Sequence, residues 1–586
     1  MRRAVQPHHL LLALAVGATF LAYAGTLGFD FVYDDRIHIV SSPFLQSWRF
    51  LPRYFTSHVW SYQYPHMLGN YYRPLSLLWL RLNDAAFGLL PWPWHLMCVL
   101  LHVSVTFLVY LLARRLTRDT FAAGVAPLIF GLHPAHVEAV AYVSAVPETL
   151  SALLLLSAFI CFLRWRESGT EGGRGWLFTS LLLYALAMLS KETALIMPLL
   201  VFAYGWIFPS EPGDGPWLRR LGQAFRMALP YLLLTLPYLL VRDLALRGLT
   251  HPVNSLPLST LLLTAPALVL FYFRLLLWPV GLSAFYDTSY VTQPGLMNFV
   301  LPVIVTAVVV LVLWYWSRHP LEQPSGAPSD ESRAILFAAI WWALPMLLLL
   351  NLRVFPSDEI VHDRYLYLPS IGFALLVALA LRHLNLGRAR VFGWPSAQLV
   401  LALGLAAALG ARTAHQSLYW SDELSLYSHS YQVAPRNDAA ATSLAAVACE
   451  RKLYPACMQL NQEVLARNPN FWRANVNLAY AYYGLGQIDL AAEYFRRSIA
   501  ADPVDGNQYL YLGLCLLRLG RLDEAEAAAR RALLVRPDGT EYHYVLGIIL
   551  KARGKLPEAL AEFQAELAQD AASERARAQI AEIKNR

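Results

Sequence analysis

Charge is scarce in this 586-residue chain: Asp, Glu, Lys and Arg make up 15% of it, against 57% apolar residues. That ratio excludes an ordinary soluble protein and a disordered one alike. Cysteine is also scarce. The five cysteines (Cys98, Cys161, Cys449, Cys457, Cys515) form no CxxC pair and no metal spacing, so neither a zinc site nor a dense disulfide framework is supported. Only Cys449 and Cys457 are close in sequence. They would bridge adjacent helices in an oxidising compartment, and otherwise read as unpaired small core residues. No Walker A, GxGxxG or zinc-protease motif is present. The net charge of +7 would suit nucleic acid, but the arginines sit mainly in short stretches between apolar segments, so they read as topology rather than as nucleic-acid contacts.

What the chain does have is long apolar runs. There are twelve, near residues 10–28, 92–112, 121–132, 148–163, 176–189, 194–208, 227–241, 258–280, 297–316, 334–352, 365–381 and 396–411. Several are shorter than the roughly 20 residues of a simple span. Arg2/Arg3, Arg114/Arg115/Arg118, Arg164/Arg166/Arg174, Arg219/Arg220/Arg226, Arg318/Arg333 and Arg382/Arg388/Arg390 mark one side, the cytoplasm by the positive-inside rule. The other side takes 30–90, 133–147, 190–193, 281–296, 353–364 and everything after 412. Opposite sides for the two ends require an odd number of crossings. One run is therefore expected not to cross, and its place is between Arg226 and Pro279, where Arg242 and Arg247 make the loop charge ambiguous. The first run, behind Met1-Arg-Arg3, is expected to be an uncleaved anchor, since no small-residue cleavage site stands out.

After Arg412 a period appears. Pro435, Pro469, Pro503 and Pro537 are 34 apart, as are Gly486, Gly520 and Gly554. Small and large residues recur where a tetratricopeptide repeat needs them, for example Leu478, Ala479, Tyr482, Ala491 and Phe495 in one unit. The expected architecture is all-α: a polytopic membrane helical bundle of about eleven spans, then a tetratricopeptide-repeat α-solenoid. Its divisions are 1–412 for the membrane domain with a first external loop at 30–90, 413–437 for a linker, and 438–586 for about four repeats with a C-terminal helix.

Polar residues without an obvious structural reason gather on the external face. Asp34 and Asp35 follow the first run, either as a polar stop to a membrane helix or as paired acids at a reaction site. The segment after them is rich in aromatics and carries Arg36, Arg49, Arg53, Arg73 and Arg81, cations suited to a phosphate. In the second loop, His133 and His136 lie near Glu138 at a spacing that permits a metal, though without a third ligand; Glu138, on an Ala/Val helix, needs a partner if buried. Lys191 and Glu192 form a third polar site, or a turn cap. Arg364, flanked by Tyr365 and Tyr367 at the mouth of a run, either snorkels or grips a phosphate in a dry site.

FVYDD at 31–35, NYYRPLS at 70–76, GLHPAHVEAVAYVSAVPETL at 131–150, LSKETALIMP at 189–198, RLLLWPVGLSAFYD at 274–287 and HDRYLYLPS at 362–370, followed by the repeats, resemble the transmembrane and tetratricopeptide-repeat protein O-mannosyltransferases and their bacterial relatives. The resemblance covers nearly the whole chain, in order. It implies a C-type glycosyltransferase that takes a sugar from a polyprenyl- or dolichyl-phosphate carrier outside the cytosol, on a periplasmic, extracytoplasmic or lumenal face. It further implies Asp34 and Asp35 as the catalytic acidic pair, with Arg364, Lys191 and Arg73 on the carrier phosphate. His133, His136, Glu138, Glu192 and Tyr365 would support the site. Family members commonly read ERYLYLPS; this chain has His362-Asp363 before Arg364, so the acid at 363 takes no role from the resemblance. The acceptor would be a protein held by the repeats. The rivals are another lipid-linked sugar moved to a glycan or lipid, a membrane-anchored docking scaffold, and a transporter, which would place its polar residues at mid-span.

Overall fold

The computed structural model describes residues 7–209, 217–319, 330–356, 359–384, 386–387, 389–539 and 541–585. The chain divides into two compact units, one of Met1–Val59 and Gly69–His429, the other of Trp60–Leu68 and Ser430–Arg586. Among the described residues the only strands are the two-residue pair Arg390–Val391 and Trp394–Pro395, so the class is all-α.

Among the described residues, twelve apolar helices build the first unit, one on each apolar run. They are α1 (Pro7–Tyr23), α2 (Pro91–Thr117), α3 (Thr120–Gly131), α4 (Val146–Gly172), α5 (Arg174–Ser190), α6 (Met197–Ile207), α7 (Trp217–Leu246), α8 (Leu258–Leu277), α9 (Leu301–Arg318), α10 (Asp330–Leu349), α11 (Pro369–His383) and α12 (Ser396–Ser417). Among the described residues, eight are long and apolar enough to cross a membrane, α3 forms a pair bent by 51° with the helix that follows it, and α5, α6 and α11 are shorter. Pro134 stands at that bend because it cannot continue a helix; Pro91, Pro147 and Pro369 instead open α2, α4 and α11, where the missing N–H has no partner to lose. Only 6% of the Leu296–Arg318 stretch that contains α9 is buried within the protein. Its Val, Leu and Trp side chains need lipid. The chain is a multi-pass membrane protein.

α10 and α11 pack closely because residue 372 is glycine: a Cβ there would run into the Ala338 carbonyl and the Trp342 amide. The loops collect into two groups. At one end Arg118 pairs with Asp330 (3.0 Å), Arg382 with Asp119 (3.0 Å) and Glu331 (3.4 Å), and Arg115 with Glu167 (3.5 Å). These are segments that the arginine pattern assigned to one side. Arg2, Arg3 and Arg388 of that pattern lie outside the described residues. The second group joins the loops 30–90, 133–147, 190–193, 281–296 and 353–364, and holds the candidate site.

α8 does not pass from one group to the other. The loop before it is tied to the second group by Asn70 Nδ2 donating to the His251 carbonyl (2.7 Å) and Asn254 Nδ2 to that of Phe355 (2.8 Å). At its far end the Leu276 carbonyl lies 2.9 Å from His133 Nε2, and Gln416 donates to the Leu282 carbonyl at 2.8 Å. The chain then runs back along α8, where the Val291 amide meets Thr264 Oγ1 at 2.9 Å.

In the second unit, α13 (Asp438–Glu450) to α20 (Leu556–Gln569) form four antiparallel pairs: α13 with α14 (Tyr454–Arg467), α15 (Trp472–Gly484) with α16 (Ile488–Ala501), α17 (Gly506–Arg518) with α18 (Leu522–Val535), and α19 (Tyr542–Ala552) with α20. α21 (Glu574–Lys584) follows. Gly486, Gly520 and Gly554 all adopt φ near +75°, at 77°, 74° and 77°, which is why the turns inside the last three repeats keep a glycine; Lys452 takes the same place in the first repeat at φ 61°. The degenerate first repeat forms the same pair, and there Cys449 and Cys457 are joined as a disulfide. Of the two readings open for them in the sequence, the bridge between adjacent helices is the one found, and the unpaired core residues are not. The stretch 413–437, expected as a linker, is largely helical: α12 continues to Ser417, and a further helix spans Glu423–Val433.

Candidate active site

Tyr33 adopts φ 57°, a left-handed conformation that a tyrosine holds only where its surroundings impose it. Its ring packs edge-on against Tyr142 (5.4 Å between centroids) and Phe285 (5.9 Å). The kinked backbone sends the next two carboxylates to different places. Asp35 is fully buried and accepts four hydrogen bonds, from the amides of Val32 (3.5 Å), Val143 (3.3 Å) and Ser144 (2.7 Å) and from Ser144 Oγ (2.6 Å). Burial pushes its carboxyl up to about 7 against the opposing pull of those donors. Asp34 is half-buried and accepts the Tyr142 hydroxyl at 2.8 Å. Asp35 fastens the first loop to the second, and Asp34 keeps access to solvent.

The three cations assigned to the carrier phosphate are each met by a carboxylate from another loop. Arg73 grips Glu192 with two donors, Nε at 3.1 Å and Nη2 at 2.5 Å. Lys191 is buried against Glu148, and burial pulls its ammonium below the ordinary lysine value while that carboxylate holds it up. Arg364 brackets Glu138, its Nη1 on one oxygen and its backbone amide on the other (2.9 Å), with His362 Nδ1 3.4 Å from the first. Burial works against the Arg364 charge and Glu138 more than restores it, so the guanidinium stays protonated. Aromatic rings stand between these pairs. Tyr365 has Lys191 Nζ 5.2 Å and the Arg364 guanidinium 5.4 Å from its ring centre, and Tyr71 lies 4.6 Å from the Arg73 guanidinium. Tyr33 and Tyr142 each interact with both Asp34 and Arg364, which links the acid to the cations.

Asp34, Asp35, Arg73, Glu138, Lys191, Glu192, Arg364 and Tyr365 are thus brought to one face. His133 and His136 are not. His133 Nε2 is 2.9 Å from the Leu276 carbonyl and its Nδ1 accepts the Ala135 amide at 3.2 Å; His136 Nε2 meets Ser370 Oγ at 2.7 Å. Both are buried among Phe130, Tyr367 and Phe373. Among the described residues no group of three His, Cys, Asp or Glu is arranged to hold a metal. Asp363 is buried, accepts the Tyr286 hydroxyl, and has its carboxyl pushed up by that burial.

Sequence reasoning passed over Tyr142, Ser144 and Glu148. Glu148 carried a usable signal, because a lone carboxylate at the start of an otherwise apolar helix is a functional candidate by default. Tyr142 and Ser144 carried none beyond lying within the quoted second-loop motif.

Arg73 spends Nε and Nη2 on Glu192, leaving Nη1 outside that pair; Arg364 likewise spends Nη1 and leaves Nε and Nη2. A guanidinium has five N–H donors, so each is oriented by its carboxylate and still able to donate to an anion. Pre-oriented donors around one accessible carboxylate suit a reaction in which an anionic leaving group departs as a proton is taken up.

A family model described as tetratricopeptide repeat matches residues 459–506 and 510–574. The chain is 26% identical over 546 residues to Protein O-mannosyl-transferase Tmtc1 of Drosophila melanogaster, covering 80% of this chain and 62% of that one. It is 25% identical over 533 residues to Protein O-mannosyl-transferase TMTC3 of Mus musculus, covering 85% and 56%. Over a shorter stretch of 279 residues it is 35% identical to Protein O-mannosyl-transferase Tmtc2 of Drosophila melanogaster, covering 45% and 29%. The chain therefore spans at most 62% of these relatives' length. Among solved structures, a thermophilic TPR protein of Thermus thermophilus is 23% identical with a TM-score of 0.25, over 32% of this chain and 99% of that one. Over most of its length the chain is thus similar to proteins named protein O-mannosyl-transferase, the family that its motifs resemble, with tetratricopeptide repeats at its C-terminal end.

Proposed function

We propose that this chain moves a sugar, mannose by analogy with its relatives' names, from a polyprenyl-phosphate carrier to a Ser or Thr hydroxyl of a protein on the non-cytoplasmic face. What supports the reading is that three carboxylate-oriented cations, Arg73, Lys191 and Arg364, and the half-buried acid Asp34 all lie on the loop face of a membrane bundle, with Tyr33 and Tyr142 between Asp34 and Arg364. The acceptor oxygen forms a bond to the anomeric carbon while the bond from that carbon to the phosphate oxygen breaks. The electron pair leaves with the phosphate, and the hydroxyl proton passes to Asp34. One displacement inverts the anomeric centre.

A hydroxyl is a weak nucleophile, so a carboxylate within hydrogen-bond reach raises the rate by about 10²–10⁴-fold. The leaving phosphate needs cations rather than an acid, and Arg73, Lys191 and Arg364 supply them. Asp35 acts through position: its four donors hold the turn on which Asp34 sits. The repeats, as a solenoid of helix pairs, offer a surface for a polypeptide acceptor.

The test is transfer by the purified full-length chain in lipid nanodiscs, supplied with polyprenyl-phosphate mannose and a Ser/Thr peptide. The expected products are glycosylated peptide and free polyprenyl phosphate in equal amounts, with inverted anomeric configuration. Retention of configuration would contradict the single displacement. Transfer to a glycan or lipid with the peptide untouched would move the acceptor to another class.

A further inference from the structure

The second unit is discontinuous. Besides Ser430–Arg586 it contains Trp60–Leu68, the stretch Trp-Ser-Tyr-Gln-Tyr-Pro-His-Met-Leu from the first long loop. This segment folds into a compact double turn: the amides of Gln63 and Tyr64 donate to the Trp60 carbonyl (3.0 and 2.9 Å), and that of Met67 to the Tyr64 carbonyl (3.1 Å). The turns bury Tyr62 to 2% exposure. Tyr64 lies among Arg473, Asp502 and Asp505, and burial lifts its phenol to about 12. Arg473 belongs to the first turn of α15, and Asp505 caps the start of α17 by accepting the Asn507 amide at 3.0 Å. The neighbours of Tyr64 are thus the opening turns of the first helices of two successive repeats, with Asp502 at the end of the helix between them.

A solenoid of this kind binds polypeptide along a surface to which each repeat contributes. Here a stretch of this chain already sits at such a surface. It is neutral apart from His66, carries three large aromatic residues, and has a proline that keeps it out of a helix. We propose that Trp60–Leu68 is a resident ligand of the repeats, and that Arg473, Asp502 and Asp505 mark a site for a neutral, tyrosine- and proline-bearing stretch of polypeptide. A partner of that chemistry binds by displacing the segment. That such a partner is the protein acceptor rests on the function proposed above; the occupancy of the site does not.

The size of the effect follows from tethering. A ligand on a short flexible tether competes at an effective concentration of about 1 mM, so a free peptide with an intrinsic Kd of about 10–100 μM would bind the unaltered chain about tenfold to a hundredfold more weakly than it binds an emptied site. The experiment titrates a fluorescent peptide of sequence 60–68 into two forms of the full-length chain in detergent: the unaltered one, and one with residues 60–68 replaced by a Gly/Ser stretch of equal length. The replaced chain is expected to bind at least about tenfold more tightly, and Arg473→Ala in that background to weaken binding again. Equal affinity in both forms, or indifference to Arg473→Ala, overturns the proposal. Should the replaced chain not fold, Tyr64→Cys with Asp502→Cys in the otherwise unaltered chain decides it: joining of the two thiols by a short bis-maleimide, which spans the length of the lost phenol, supports the occupancy, and its absence overturns it. Displacement by the peptide with no change in transfer to a protein acceptor would count against the acceptor reading and leave the site standing.

Discussion

The Tyr142 hydroxyl donates to Asp34 at 2.8 Å, across 108 residues of sequence. It fixes the only carboxylate of the FVYDD turn that solvent reaches, and it does so from the loop that also supplies the donors for Asp35. Tyr142→Phe keeps the ring packing against Tyr33 and removes only this bond. A hydrogen bond to a charged group is worth about 1.5–3 kcal/mol, so turnover should fall by roughly tenfold or more, with donor affinity unchanged. Steady-state kinetics check this; equal turnover in both forms would mean that the bond does not position the base.

Asp35 gives a prediction with a definite sign. Its folded-state carboxyl is raised by burial from 3.8 to about 7. Between those values the folded chain holds a proton that the unfolded chain has lost, so this group's contribution to stability is full at the acid end and declines as pH rises toward about 7. Asp35→Asn cannot titrate. Thermal melts should therefore show the unaltered chain losing stability relative to Asp35→Asn as pH rises from about 4 to about 7, and a relative gain over that range would contradict the assignment.

Arg364 and Glu138 separate support from binding. Arg364→Ala leaves the buried Glu138 with the residue-364 amide and His362 but without its guanidinium partner, which is expected to cost up to about 3–5 kcal/mol of stability. Adding Glu138→Ala should recover much of the stability, because the orphaned charge is gone, without recovering donor affinity. Arg364→Lys keeps the charge and should bind donor better than Arg364→Ala. Donor titration alongside melting tests both halves. Recovery of donor affinity in the double variant would reduce Arg364 to a partner for Glu138.

The Cys449–Cys457 bond closes a short loop with a sequence separation of 8. On the chain-entropy model its reduction should lower the stability of the first repeat by about 2–3 kcal/mol. Such a bond persists in an oxidising compartment. Maleimide applied to the unreduced, denatured protein should therefore label Cys98, Cys161 and Cys515 but not these two. Labelling of all five would place the repeats on a reducing side.

The sequence made the repeating and oriented features legible. A 34-residue period is a local property, so the repeats, their turn glycines and the degenerate first unit could be read directly. Arginine bias also grouped the loops: Arg118, Arg115 and Arg382 lie in segments that ion pairs join at one end of the bundle. Features set by long-range burial were not legible. Asp34 and Asp35 are adjacent and chemically identical until the fold encloses one in backbone amides and leaves the other half open. Lys191 and Glu148 are 43 residues apart, and no periodicity links them. His133 and His136 had the spacing of ligands, yet their ring nitrogens are turned toward Leu276 and Ser370.

The central claim is that Asp34 takes the acceptor's proton, and the direct measurement is single-turnover transfer by Asp34→Asn, with donor binding measured on the same preparation. The account predicts donor affinity within about twofold of the unaltered chain and a transfer rate lower by about 10²-fold or more, since a general base of this kind contributes that much. Undiminished transfer by Asp34→Asn, with normal donor binding, would contradict it.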